Sequence, residues 1–139
     1  MTLTDLRDLG DERFEDLIAA LVQAPFPKAE HLGGKDGGAD ILLERDDAPP
    51  KVWQVKHYPG DMRWRQCEAS LDAVISKHGV SEVVFAFPRK FSKGIEANWQ
   101  KLQSRHEGVE VTGLWGPSVI DQLRNHPRIV EEFFGPDPT

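Results

Sequence analysis

Asp40, Gln54 and Lys56 are an acid, an amide and an amine spaced along a stretch that reads as a β-hairpin. Side chains alternate faces along a strand, so Gln54 and Lys56 point one way and Trp53 and Val55 the other. With the turn near Asp46-Asp47, Asp40 falls almost opposite Gln54–Lys56. A carboxylate, a carboxamide oxygen and an ammonium then share one patch at one end of a sheet. Such a patch suits phosphodiester hydrolysis. A hard divalent ion such as Mg²⁺, with Mn²⁺ as a substitute, takes oxygen ligands and keeps several waters. Asp40 would supply charge, Gln54 a neutral oxygen, and the backbone carbonyl of Val55 a third ligand. Such an ion polarises the phosphate and lowers the pKa of a bound water. Lys56 would orient that water or neutralise charge building on phosphorus. Glu15, beside the apolar stripe of the first helix, could reach the metal directly or through water, or hold a ligand in place.

Each of these residues also has an ordinary reading. Asp40 after glycines is a turn residue. Lys56 is a solvated edge charge, and Gln54 a satisfied polar residue in a sheet. Glu15 is an acid near a helix N-terminus, where the dipole favours it. The combination at hairpin distance is what favours chemistry. Asp36 reads as shaping the glycine turn. His57 points away from the Gln54/Lys56 face and is expected at the surface or the DNA side. Lys35, Arg63, Arg65 and Lys93, together with Arg89 and Lys90, are candidates for phosphate contact, though such residues are more often simply solvated. The glycines at 33–34 and 37–38 lack the helix and Gly-Lys-Ser/Thr that a phosphate-binding loop needs.

Several elements must position these groups. Asp11 can cap a helix over 12–23, whose Phe14, Leu17, Ile18, Leu21 and Val22 form one buried stripe. A short strand at 28–32 and a glycine-rich turn at 33–38 follow. Strands are predicted at 39–44 and 51–57. The segment 62–79 has helical spacing and a glycine stop. The run 81–87 reads as a strand buried on both faces. A helix ending at Gly108, a strand at 109–114 and two short helices complete the chain. The Trp residues at 64, 99 and 115 fit core stripes. This order, a meander followed by crossover units, predicts an α/β fold with a central mixed sheet of about five strands flanked by helices.

With 139 residues the chain suits one domain, expected over 1–135 with 136–139 as a tail or the start of a linker. Its single cysteine, Cys67, leaves no internal disulfide or cysteine-based zinc site. A reducing, cytoplasmic location is expected. No apolar run approaches the roughly 20 residues of a membrane helix, and the charged N-terminus is unlike a signal peptide. The net charge is −6, yet residues 51–107 carry 10 basic and 6 acidic side chains. A locally positive middle is compatible with gripping phosphates, while the acidic whole argues against tight nonspecific DNA binding.

Three runs carry a family resemblance: Phe14-Glu15-Asp16-Leu17, Gly34-Lys35-Asp36-Gly37-Gly38-Ala39-Asp40-Ile41, and Trp53-Gln54-Val55-Lys56-His57-Tyr58. Together they resemble the Mrr-like branch of the PD-(D/E)XK nucleases. There an acidic helix residue precedes a glycine-rich turn ending in Asp, and a Q-x-K or E-x-K strand follows. The resemblance implies a restriction-endonuclease-like core and Mg²⁺-dependent cleavage of DNA. It puts the catalytic Asp at Asp40, the Glu/Gln ligand at Gln54, the lysine at Lys56 and the helix glutamate at Glu15. Gln54 stands where the commoner form has glutamate. The segment from Trp115 to Phe134 also resembles the close of such domains in larger prokaryotic defence proteins. That implies an effector module fused to, or regulated by, sensor domains. Cutting both strands requires two sites, so a homo-oligomer is expected in the active state. Two other readings remain: a nuclease-like fold that binds nucleic acid or signals without cutting, and a resolvase acting on branched DNA.

Overall fold

The computed structural model describes residues 1–36, 39–58 and 60–136, without the side chains of 34–36. Its elements run α1 (Leu3–Asp8), α2 (Gly10–Gln23), β1 (Glu30–Asp36), β2 (Ala39–Leu43), β3 (Lys51–Val55), α3 (Trp64–His78), β4 (Glu82–Ala86), α4 (Lys93–Gln103), β5 (Glu110–Leu114), α5 (Gly116–Leu123) and α6 (Pro127–Phe134). The five strands form one sheet in the order β1-β2-β3-β4-β5. The first two pairings are antiparallel and the last two parallel, which is the predicted mixed α/β sheet. Pro136 is the last described residue, so most of the expected tail lies outside the described residues.

Two apolar layers grip the sheet. On one side the α2 stripe of Phe14, Leu17, Ile18, Leu21 and Val22 packs against Ile41, Leu43 and Trp53, with α5 and α6 at the periphery. On the other, Cys67, Leu71 and Val74 of α3 and Trp99 and Leu102 of α4 cover Leu42, Val52, Val83, Phe85 and Val111. Fully burying a Leu, Ile or Phe side chain contributes about 1.5–3 kcal/mol. These two stripes therefore fix where α2 and α3 sit, and with them the residues they carry. Trp99 is buried in the core as expected, while Trp64 and Trp115 are half-buried against it.

The structure corrects several predicted boundaries. An extra helix, α1, precedes the expected first one. Thr2 and Asp5 form a reciprocal capping box there, with Asp5 Oδ2 accepting from Thr2 N at 2.8 Å. Asp11 is not a cap; it lies in the first turn of α2, after Leu9. β1 runs through Gly33 and Gly34 to Asp36, into the segment predicted as a turn, with a register shift between His31 and Asp36 and Gly33 at φ +66°; the rest of that predicted turn, 37–38, lies outside the described residues. Glycine accepts that backbone conformation without a Cβ clash. β3 stops at Val55 rather than at His57, because Tyr58 N turns back to donate to Lys56 O at 3.0 Å. α4 ends at Gln103, short of Gly108. Ser104 Oγ donates to the Gln100 carbonyl, and Arg105 and His106 turn away to Asp72 on α3. Gln103 Nε2 meanwhile donates to the Val111 carbonyl at 3.0 Å. Gly79, at φ +63°, ends α3 as predicted.

Gly113 on β5 faces the indole of Trp115, which stacks on Phe87 with ring centroids 4.6 Å apart. A Cβ there would collide with the Trp115 indole nitrogen and sit 3.1 Å from Trp99 Cζ2. Gly113→Ala is therefore expected to cost about 1–3 kcal/mol by displacing Trp115, read as a lower urea midpoint together with a changed near-UV circular dichroism spectrum.

Candidate active site

The β2–β3 register pairs Ile41 with Trp53, which puts Asp40 across from Gln54 as the hairpin reading predicts. Asp40 Oδ2 accepts a hydrogen bond from Val55 N at 2.7 Å and is 8% exposed. Burial raises its pKa to about 6. The Val55 N–H and the Lys56 ammonium oppose that rise, while the neighbouring Glu15 adds to it. Asp40 and Lys56 thus act on each other electrostatically across the end of the sheet.

Gln54 is completely buried. Its Nε2 donates to the Ser70 carbonyl at 3.4 Å, and its Oε1 has no hydrogen-bond partner among the described residues. The orientation follows from chemistry, because a carbonyl neighbour can only be met by the NH₂ end of the amide. Lys56 Nζ donates to Ser70 Oγ at 2.6 Å. Ser70 therefore steers both side chains of the Q-x-K pair, and sequence reasoning missed it. The available signal was a serine three residues after Cys67 and four before Val74, hence on the buried stripe of α3.

The groups do not all lie on one face of the sheet. Lys56 and Gln54 turn towards α3, whereas Glu15 arrives on α2, which covers the other side. The cluster straddles the strand ends. Glu15 Oε2 is 2.7 Å from His31 Nε2 on β1, a second partner the sequence reading did not name. Gly33 lies beside that carboxylate; a Cβ there would be 3.7 Å from Glu15 Oε2. A cleft of about 800 Å³ opens in front, lined by Glu15, Val55, Lys56, Tyr58 and Arg63 among others.

Arg63 thus reaches the cleft, Arg65 is exposed on the first turn of α3 and Lys93 is exposed at the start of α4. The side chains of Lys35 and Asp36 lie outside the described residues. His57 differs from its expected surface role. Its side chain is 7% exposed, with Nδ1 3.0 Å from Asp11 and Nε2 2.9 Å from the Arg7 carbonyl, and its ring packs on Phe14. It ties α1, α2 and the end of β3 together. His57 is also among the residues lining the cleft.

Among the described residues no trio of His, Cys, Asp or Glu is arranged to hold a metal ion. The donor set here is mixed instead. It comprises the carboxylates of Asp40 and Glu15, the orphaned amide oxygen of Gln54 and the carbonyl of Val55 at the rim. An all-oxygen set fits a hard divalent cation and not zinc or copper. A buried amide oxygen left unpaired costs roughly 1–3 kcal/mol, and a cation is one partner that would satisfy it.

Asp40 binds a proton more readily in the folded chain than in the unfolded one, with a pKa of about 6 against 3.8. Stability therefore falls as pH rises across that window and stays lower above it, by about 2–3 kcal/mol. Asp40→Asn keeps an acceptor for Val55 N and removes the buried charge. In urea melts with chelator it is expected to exceed the wild type near neutral pH and to match it at about pH 4. A difference independent of pH would overturn the assigned cause.

A family model described as a restriction endonuclease, Mrr_cat, matches residues 6–111. No curated protein matches the chain. The match runs from the second half of α1 to the first residues of β5 and includes Glu15, Asp40, Gln54, Lys56 and Ser70. No helix among the described residues is long and apolar enough to cross a membrane. With a five-stranded mixed sheet, an Asp/Gln/Lys cluster at its strand ends and a match over most of its length, the chain belongs to the Mrr_cat family of restriction endonucleases, which are nucleases of the PD-(D/E)XK type.

Proposed function

We propose that this chain is a divalent-metal-dependent endodeoxyribonuclease whose active site is built on Asp40, Gln54 and Lys56, with Glu15 assisting. The observation that carries the reading is the unpaired Oε1 of the fully buried Gln54 next to the buried, charge-strained Asp40. Two such costs side by side have no structural benefit within the chain alone. Asp40, Gln54, Glu15 and the Val55 carbonyl would hold Mg²⁺ or Mn²⁺. When bound, that ion supplies Lewis-acid polarisation of the phosphate and a more acidic water.

The chain's own groups carry the rest. Lys56, steadied by Ser70 Oγ, presents a fixed ammonium to the cleft, where it would meet charge developing on the phosphate oxygens. The Val55 N–H holds the Asp40 carboxylate in one orientation. His31 does the same for Glu15. Hydrolysis proceeds by direct attack of water on the phosphate, without a covalent enzyme intermediate. The resemblance to domains of defence proteins supports a role as the nuclease effector of a prokaryotic defence system. One site cuts one strand, so double-strand cleavage would bring two copies together.

The test is plasmid cleavage with Mg²⁺ or Mn²⁺. Wild type is expected to nick or linearise the plasmid, and chelator to stop it. Lys56→Ala is expected to lower the rate by about 10²–10³-fold, the loss typical of one charge-stabilising donor. Gln54→Leu separates function from folding. It removes the orphaned oxygen, so the fold is expected to be at least as stable in chelator, while the rise in melting temperature on adding Mn²⁺ disappears.

The neutral Gln54 and the net charge of −6 favour a second reading, a binding or signalling module that does not cut. Wild type that shifts DNA in gels yet leaves plasmid intact under both metals would select it.

A further inference from the structure

The large cleft does not end at Lys56. It shares Gly60 and Asp61 with a second recess of about 340 Å³, whose wall includes Arg7, Arg89 and Lys90. The two strand ends explain the adjacency. β3 and β4 are parallel with Val55 beside Ala86, so Lys56 and the segment from Phe87 onward leave the sheet side by side. α1 joins them because Gly116 has no side chain. A Cβ there would strike Leu3 of α1 and sit 3.1–3.2 Å from the backbone of Pro88 and Arg89. Arg7 is thereby carried to the same edge.

The chain has 23 acidic and 17 basic residues, so an acid partner is easily found. Three arginines elsewhere have one, Arg45 with Glu82, Arg105 with Asp72 and Arg124 with Asp121, whereas Arg13, Arg65 and Arg128 form none among the described residues. Among the described residues Arg7, Arg63, Arg89, Lys90 and Lys93 form no ion pair. Arg89 is instead pinned by uncharged groups, with Nη1 donating to the Gly60 carbonyl at 3.1 Å. Its remaining guanidinium donors are left for an anion.

Phe91 follows directly and is 40% exposed. Its ring lies 5.3 Å from Trp115, at the outer end of the column that begins with Phe87. It precedes the N-cap of α4, where an apolar residue often staples to the fourth helical position. That position is Glu96, so no staple forms. Unpaired cations interleaved with an exposed aromatic ring are the chemistry of nucleic-acid backbone and base contact.

We infer that Arg7, Arg89 and Lys90 form a shelf that holds the phosphate backbone of DNA running away from the candidate active site, with Phe91 stacking on an unpaired base. The inference rests on the nuclease reading above for the identity of the polymer. The experiment measures binding separately from cleavage, by fluorescence anisotropy of the full chain with fluorescein-labelled duplex and single-stranded DNA, with Ca²⁺ replacing Mg²⁺. Arg7→Gln/Lys90→Gln is expected to weaken duplex binding by about tenfold or more at low salt and to reduce the slope of log affinity against log salt by about 2. Phe91→Ala is expected to weaken single-strand binding by about tenfold with the salt slope unchanged. Lys101→Gln, at the opposite end of α4 from Lys93, is expected to change neither.

Wild-type affinity and slope in the double variant, or no DNA binding by the wild type, would overturn the shelf. If plasmid stays intact while the charge-dependent binding is found, the catalytic reading falls and the shelf stands. If plasmid is cut and the double variant binds normally, the reverse holds.

Discussion

A carboxylate kept out of water by its own sheet is the constraint around which this molecule is arranged. Asp40 has one backbone N–H to accept from, a neighbouring acid that repels it and an ammonium nearby that helps it. Left alone, such a group relaxes by protonating or by turning outward. It does neither freely, because Ala39 and Ile41 on either side are both completely buried and hold the strand in place. The two apolar layers therefore supply the free energy that keeps a strained polar cluster assembled. The same layers fix α2 and α3, so Glu15 and Ser70 are delivered to the strand ends from opposite sides.

The end of β3 follows from the same logic. Lys56 N still bonds to Ala86 O, but the next turn of the chain is local, from Tyr58 N to Lys56 O. The strand thus releases its chain one residue after the amide donor, which frees the lysine side chain to swing to Ser70. An extended strand through His57 would have kept that side chain on the sheet's pleat. His57 is recruited instead to bind α1 and α2 to this corner.

Much of this arrangement was legible in the sequence. Strand alternation and the placement of Asp46-Asp47 were enough to set Asp40 opposite Gln54, because hairpin register depends on local rules. The stripe from Phe14 to Val22 identified α2 for the same reason. The missing parts are those without a periodic or side-chain signal. α1 is only six residues long, and its capping box is its one strong mark. β1 crosses glycines that have no side chain to alternate, so it looked like a turn. Ser70 and His31 became visible only through their partners, since a serine on an apolar stripe or a histidine on a strand has many ordinary explanations. The side of the sheet from which Glu15 arrives was not legible either, because periodicity within two strands says nothing about which helix covers which side.

The sheet's two outer borders carry a further consequence. β1 is interrupted by glycines and a register shift, so it presents no long straight row of backbone groups. At the far border Glu110 N donates inward to Ser81, which turns the Val111 carbonyl outward, and the Gln103 amide covers it. Both margins are thus poor templates for strand addition. Self-association by extending the sheet, including the runaway kind that ends in fibres, is disfavoured from the start. A second copy would have to meet this one through helices or loops, which leaves the mouth of the cleft free of intermolecular β-pairing.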